Sequence, residues 1–98
     1  MLNINNHFCI RCDKHSFERA QQIMFDNDLI WCNKDSYGNK IITYEDLLYE
    51  INNLFTRNIV EFQQTNIYYL VYDKSIFYKR FYVSYEQKFD IILDLTRA

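Results

Sequence analysis

The residues best equipped for chemistry in this chain are its three cysteines and two histidines. Four of them form a suggestive pattern, Cys9-x2-Cys12-x2-His15 with Cys32 further on. Thiolates and imidazoles at such spacing suit tetrahedral zinc, provided that they converge to about 2.0–2.3 Å from one point. The run that carries them argues otherwise. From His7 to Cys12 the residues alternate, with Phe8, Ile10 and Cys12 on one face and His7, Cys9 and Arg11 on the other, which is the period of a strand. Cys9 and Cys12 then point to opposite faces, and only a bend at Cys12 would bring them together. The same placement disfavours a redox Cys-x-x-Cys, whose first cysteine belongs at a helix N-terminus where its pKa falls. An odd number of cysteines with no signal peptide reads as reduced cytosolic thiols. No oxyanion-hole loop accompanies His7, His15 and the thiols, so they form no nucleophile–base pair. Asp90 and Asp94, four apart, share a solvated face on a strand or a helix alike. The expectation is a protein with no catalytic residues, no metal and no cofactor.

The aromatic segment carries more information. Tyr68, Tyr69, Tyr72, Phe77, Tyr78, Phe81, Tyr82 and Tyr85 are interleaved with Lys74, Lys79 and Arg80. A half-buried sheet needs only one face of these rings. The other presents tyrosine, which supplies a large contact area at low entropy cost and is enriched at interfaces. Tyr68, Tyr72, Tyr78, Lys79, Arg80 and Tyr82 are accordingly the candidate partner-binding residues. Aromatic rings beside basic groups also stack single-stranded bases, so a nucleic-acid-binding domain using Tyr78, Lys79, Arg80 and Tyr82 is the alternative.

The elements that position these groups read as follows. The His7–Cys12 strand leads into a helix capped by Asp13 or Ser16 and running to about Asp28, with Phe17, Ala20, Ile23 and Met24 as its apolar stripe. Asn27 and Asp28 stop it, and Leu29–Cys32 reads as a second strand. A right-handed crossover between the two strands makes them parallel in one sheet. Asn33 to Lys40 is a loop holding the only glycine, Gly38. Thr43-Tyr44-Glu45-Asp46 has capping-box spacing and opens an amphipathic helix through Leu47, Leu48, Ile51, Leu54 and Phe55. Ile67–Tyr72 and Ser75–Val83 read as a hairpin turning at Tyr72–Ser75. Phe89 to Leu95 alternates as a strand in which Ile92 is the misfit, although a helix would also gather Phe89, Ile92 and Leu93. The whole reads as one α+β domain over residues 1–98, with an N-terminal βαβ unit, a second helix and an aromatic-rich C-terminal hairpin or sheet.

Composition bounds the function further. The chain has 98 residues, 49% hydrophobic and 18% aromatic, too apolar for a disordered segment. One glycine and no proline exclude glycine-rich phosphate cradles and flexible arms. Eleven basic against thirteen acidic side chains give a net charge of −2, too balanced for general nucleic-acid affinity. No run of about 18 apolar residues is present, so no membrane is expected. Ile, Asn, Tyr, Phe and Lys are abundant while Ala, Gly and Pro are scarce, the bias of AT-rich codons. An AT-rich genome fits some bacteriophages and some low-GC bacteria.

Three stretches, Phe8-Cys9-Ile10-Arg11-Cys12, Ala20-Gln21-Gln22-Ile23-Met24-Phe25 and Ile30-Trp31-Cys32, resemble small accessory proteins of large tailed bacteriophages, of the early or host-takeover type. The resemblance covers the N-terminal third and departs at Leu29-Ile30, where such proteins tend to have Gly-Tyr before the tryptophan. It implies a non-enzymatic protein of the host cytoplasm that binds a host or defence protein, of anti-restriction or anti-CRISPR type. It carries over no catalytic residue. A homodimer is a further expectation, because aromatic edge strands need covering or pairing.

Overall fold

A computed structural model describes residues 7–32, 38–46 and 67–97. Strand β1 (His7–Asp13) leads into helix α1 (Phe17–Asp26) and the two-residue strand β2 (Ile30–Trp31). Strands β3 (Ile67–Asp73), β4 (Arg80–Ser84) and β5 (Ile91–Asp94) follow. They form one mixed sheet in the order β2-β4-β3-β1-β5. β3 runs antiparallel to both β1 and β4, whereas β2 is parallel to β4 and β5 is parallel to β1. The βαβ unit is therefore present as β1-α1-β2, and its two strands are parallel with β3 and β4 inserted between them.

Helix α1 forms where the sequence places its stripe. Phe17, Ala20, Gln21 and Met24 are buried, at i, i+3, i+4 and i+7. The stripe differs from the expected one in its centre, which is Gln21, while Ile23 packs only at its margin. Asp13 organises the entry without capping the helix directly: its carboxylate accepts from the Ser16 hydroxyl and from the N–H groups of His15 and Ser16. The helix ends at a Schellman motif. Leu29 N–H donates to Met24 O and Asp28 N–H to Phe25 O, with Asp28 at φ 64° in the place usually taken by glycine.

The core lies between α1 and the sheet face bearing Phe8, Ile10, Cys12, Tyr68, Leu70, Tyr72 and Phe81. Aromatic rings dominate it. Phe17 meets Tyr68 edge-on with centroids 5.4 Å apart, and Trp31 lies 4.4 Å from Phe81. Gln21 sits in this apolar setting with none of its surface exposed. Its Oε1 accepts from Trp31 Nε1 at 3.2 Å and from Ile42 N–H at 2.8 Å. Its Nε2 donates to Phe17 O at 3.2 Å and to Ile42 O at 2.9 Å. The amide's full hydrogen-bonding capacity is thus used, and the two pure donors around Oε1 fix which way it points. Ile42 meets Gln21 as it would meet a neighbouring strand.

The Thr43–Asp46 capping box is formed. Thr43 N–H donates to Asp46 Oδ2 and Asp46 N–H to Thr43 Oγ1, both at 3.1 Å. Tyr44, Glu45 and Asp46 are helical, and the expected continuation through Leu47, Leu48, Ile51, Leu54 and Phe55 lies outside the described residues. Residues 89–95 resolve in favour of a strand, shortened to Ile91–Asp94. Ile91 pairs with Cys9 but Leu93 with Ile10, so Ile92 is the extra residue of a bulge. That bulge is why Ile92 breaks the alternation, and it lets Ile92 and Leu93 both pack on the core. The hairpin is corrected: β3 runs on to Asp73 and β4 starts only at Arg80, so residues 74–79 form a loop in place of a tight turn at Tyr72–Ser75.

Replacing Gln21 with Leu keeps the volume but removes the hydrogen bonds to Trp31 Nε1–H and to both backbone groups of Ile42. At about 1–3 kcal/mol for each buried group left unpaired, with some relaxation, Gln21→Leu is expected to lower the unfolding free energy by about 2–5 kcal/mol in urea titration. Asp28→Gly removes the side chain that disfavours the left-handed conformation and is expected to raise it by about 1 kcal/mol in the same measurement.

Candidate interaction surface

The connection between β3 and β4 is built by Asp73. Its Oδ1 accepts from Ser75 N–H at 3.0 Å and from the Ser75 hydroxyl at 2.6 Å. Its carbonyl accepts from the N–H groups of both Ile76 and Phe77 at 3.0 Å. Donors that a continuing strand would offer to its neighbour are consumed locally, and Lys79 at φ 62° turns the chain into β4. The loop thereby lifts three consecutive large side chains off the sheet: Ile76 is 57% exposed, Phe77 39% and Tyr78 64%. Phe77 is held edge-on against Tyr82, centroids 6.2 Å apart, and Lys74 Nζ lies 5.9 Å from the Tyr78 ring centroid. Lys74, Lys79 and Arg80 form no ion pair among the described residues, whereas Arg11, Arg97 and Lys88 do.

An open cleft of about 510 Å³ adjoins the loop, lined by His7, Asp73, Lys74, Ser75 and Phe89. One wall is the His7–Phe89 stack, with centroids 4.5 Å apart and planes inclined by 22°.

The structure divides the six candidate partner-binding residues. Tyr78 and Lys79 stand exposed in the loop and Arg80, half-buried, begins β4. Tyr82 is half-buried on the sheet face away from α1, where burial pushes its hydroxyl pKa up. Tyr68 and Tyr72 are corrected: both are core residues, on the face that α1 covers, and offer no ring to a partner. Even and odd positions of one strand face opposite ways, so a list of tyrosines drawn without a known burial direction mixes the two faces. Ile76 and Phe77 were the missed members of the surface. Their signal in the sequence is an unbroken Ile-Phe-Tyr run at the start of the segment read as the second strand of the hairpin.

The cysteine cluster does not assemble. Cys12 lies in the core beside Tyr68, Cys9 lies on the opposite face, and His15 is exposed at the turn before α1. Cys32 follows β2 and is half-buried. None of the three cysteines is in a disulfide. Burial pushes the Cys9 and Cys12 thiols up, away from the thiolate that both metal binding and nucleophilic attack require. No group of three potential metal-ligating residues comes together among the described residues.

Asp94 is likewise engaged structurally. Asp94 Oδ1 accepts from Thr96 N–H at 2.9 Å and from the Thr96 hydroxyl, and Asp94 Oδ2 accepts from Arg11 Nη1 at 3.1 Å. Arg11 Nη1 also donates to Thr96 Oγ1 at 2.7 Å. These contacts, those of Thr96 foremost and Arg11 next, lower the Asp94 pKa. A lowered folded-state pKa stabilises the fold above the unfolded Asp value near about 4, and that stabilisation is lost as pH falls through the folded-state value. Asp94→Asn is therefore expected to be less stable than the parent at pH 7, with the gap closing as urea titrations are repeated at progressively lower pH below about 4.

No helix among the described residues is long and apolar enough to cross a membrane. Compared with protein-family models, curated proteins and solved structures, the chain matches none of them.

Proposed function

We propose that the protein acts without catalysis by binding another protein through the 74–79 loop. The observation that carries this reading is the exposed Ile76-Phe77-Tyr78 run on a loop whose backbone Asp73 holds in place. Apolar and aromatic side chains on a preorganised loop lose little entropy on docking, and such anchors dominate the energy of protein interfaces. The flanking Lys74, Lys79 and Arg80 complement a partner pocket with an acidic rim. The AT-rich composition and the resemblance of the N-terminal third support a more specific proposal. In it the protein is a bacteriophage accessory protein that inhibits a host or antiviral-defence factor, of anti-restriction or anti-CRISPR type, in the host cytoplasm.

Affinity capture from a candidate bacterial lysate tests the reading, using the parent chain and an Ile76→Ser/Tyr78→Ala double variant. Both side chains are solvent-facing, so the variant is expected to match the parent in thermal stability. The expected result is a protein retained by the parent and depleted at least tenfold by the variant, since a central anchor carries about 2 kcal/mol or more. Recovery of nucleic acid alone, released by salt and lost on Lys79→Glu/Arg80→Glu, would sink the protein-binding reading in favour of base stacking.

A further inference from the structure

The two crossovers of this sheet are covered very differently. β1-α1-β2 passes from β1 over β3 and β4, whereas residues 85–90 pass from β4 back over β3 and β1 to reach β5. Two crossovers of the same hand that travel in opposite directions lie on opposite faces of a sheet. The contacts agree. α1 covers Phe8, Ile10 and Cys12, while Cys9, on the other face, donates its thiol hydrogen to Phe89 O at 3.0 Å. Residues 85–90 are therefore a strap spanning three interstrand spacings, roughly 14 Å, over a face that carries the fully buried side chains Cys9 and Val71.

The strap is held at its two ends, where Tyr85 packs against the core and Asp90 O accepts from Cys9 N–H at 3.3 Å, and little holds it down between them. Glu86, Gln87, Lys88 and Asp90 are exposed, and Phe89 is the apolar side chain that the strap lays on this face, against His7. The Lys88–Glu86 ion pair and the Ser84–Glu86 hydrogen bonds are local to the segment and tie it to nothing beneath. Segments with few buried apolar contacts open at a lower free energy than the core. We propose that residues 86–89 of the strap open independently of the rest of the fold, with Phe89 as the plug. When Phe89 leaves His7, the cleft loses one wall and extends inward to Cys9. The strap thus gates the cleft beside the 74–79 loop. The proposal rests on the strap's own contacts and stands whether or not that loop binds a protein.

The two buried cysteines supply the test, one beneath the strap and one beneath α1. In a Cys32→Ser chain, modification by an excess of an aromatic disulfide reagent is followed under native conditions and in urea below the unfolding transition, with each site quantified by mass spectrometry. Cys9 is expected to react at least tenfold faster than Cys12, with a rate nearly independent of urea, whereas Cys12 follows global unfolding. Phe89→Ala is expected to accelerate Cys9 at least tenfold while leaving Cys12 within twofold, and Phe89→Leu to fall between. Equal rates at the two cysteines with a common urea dependence overturn the proposal, because the strap then opens only with the whole fold. So does a Phe89→Ala effect shared equally by both sites.

Discussion

The Gln21 amide sits at the junction of three segments that also share the apolar core, and among the described residues it is the one polar group that bonds to all three. A buried amide without partners costs several kcal/mol in an apolar setting, so Gln21 couples the positions of the helix, the Trp31 indole and the chain at Ile42. Trp31 belongs to a strand of only two residues, too short to be secured by its ladder to β4. Its indole is instead fixed from above by Gln21 and from below by Phe81. The hydrogen bond from Trp31 N–H to Gly38 O, with Gly38 in the left-handed conformation that suits glycine, joins the described segments that end at Cys32 and begin at Gly38. The capping box at Thr43–Asp46 starts immediately beyond Ile42, so the direction in which the chain leaves the core follows from the same amide.

Strand order distributes stability unevenly around that core. With β1 and β3 at the centre of the sheet, their α1-facing residues form the aromatic core, in which rings meet at tilted and edge-on geometries. The reverse face is closed by a six-residue crossover. At the sheet's β5 edge the Arg11–Asp94–Thr96 cluster joins strand to strand through polar contacts at half-buried positions. One face thus has the packing of a protein interior and the other a thin polar and aromatic cover, and it is beside the thinner cover that the cleft lies.

The exposed loop follows from a competition for backbone donors. In a tight hairpin the N–H groups after Asp73 would pair across the strands. Asp73 takes those of Ser75, Ile76 and Phe77 itself, and the apolar side chains of that stretch lose the strand pleat that would have turned every second one inward. Their exposure is a result of local hydrogen bonding prevailing over hydrophobic patterning. That is the kind of local conflict expected where a surface serves function before stability.

Local features were legible in the sequence because they depend on neighbours in the chain. The alternation of β1, the stripe of α1, the stop at Asn27–Asp28, the Thr43–Asp46 box and even the Ile92 irregularity are all short-range patterns. What depended on which groups meet across the chain was not legible. Gln21 reads as one polar residue on a helix until Trp31 and Ile42 arrive to fill its hydrogen bonds. Tyr68 and Tyr78 read alike until the sheet acquires a covered face, which places one in the core and the other in solvent. By itself the sequence determined an α+β chain with a strand–helix–strand start and an aromatic hairpin. Only the tertiary structure decided the insertion of β3 and β4 between β1 and β2, the burial of Tyr68 and Tyr72, and the loop that carries Ile76, Phe77 and Tyr78. The physical reason is that periodicity records what a residue does relative to its neighbours, while burial depends on what the rest of the chain lays over it.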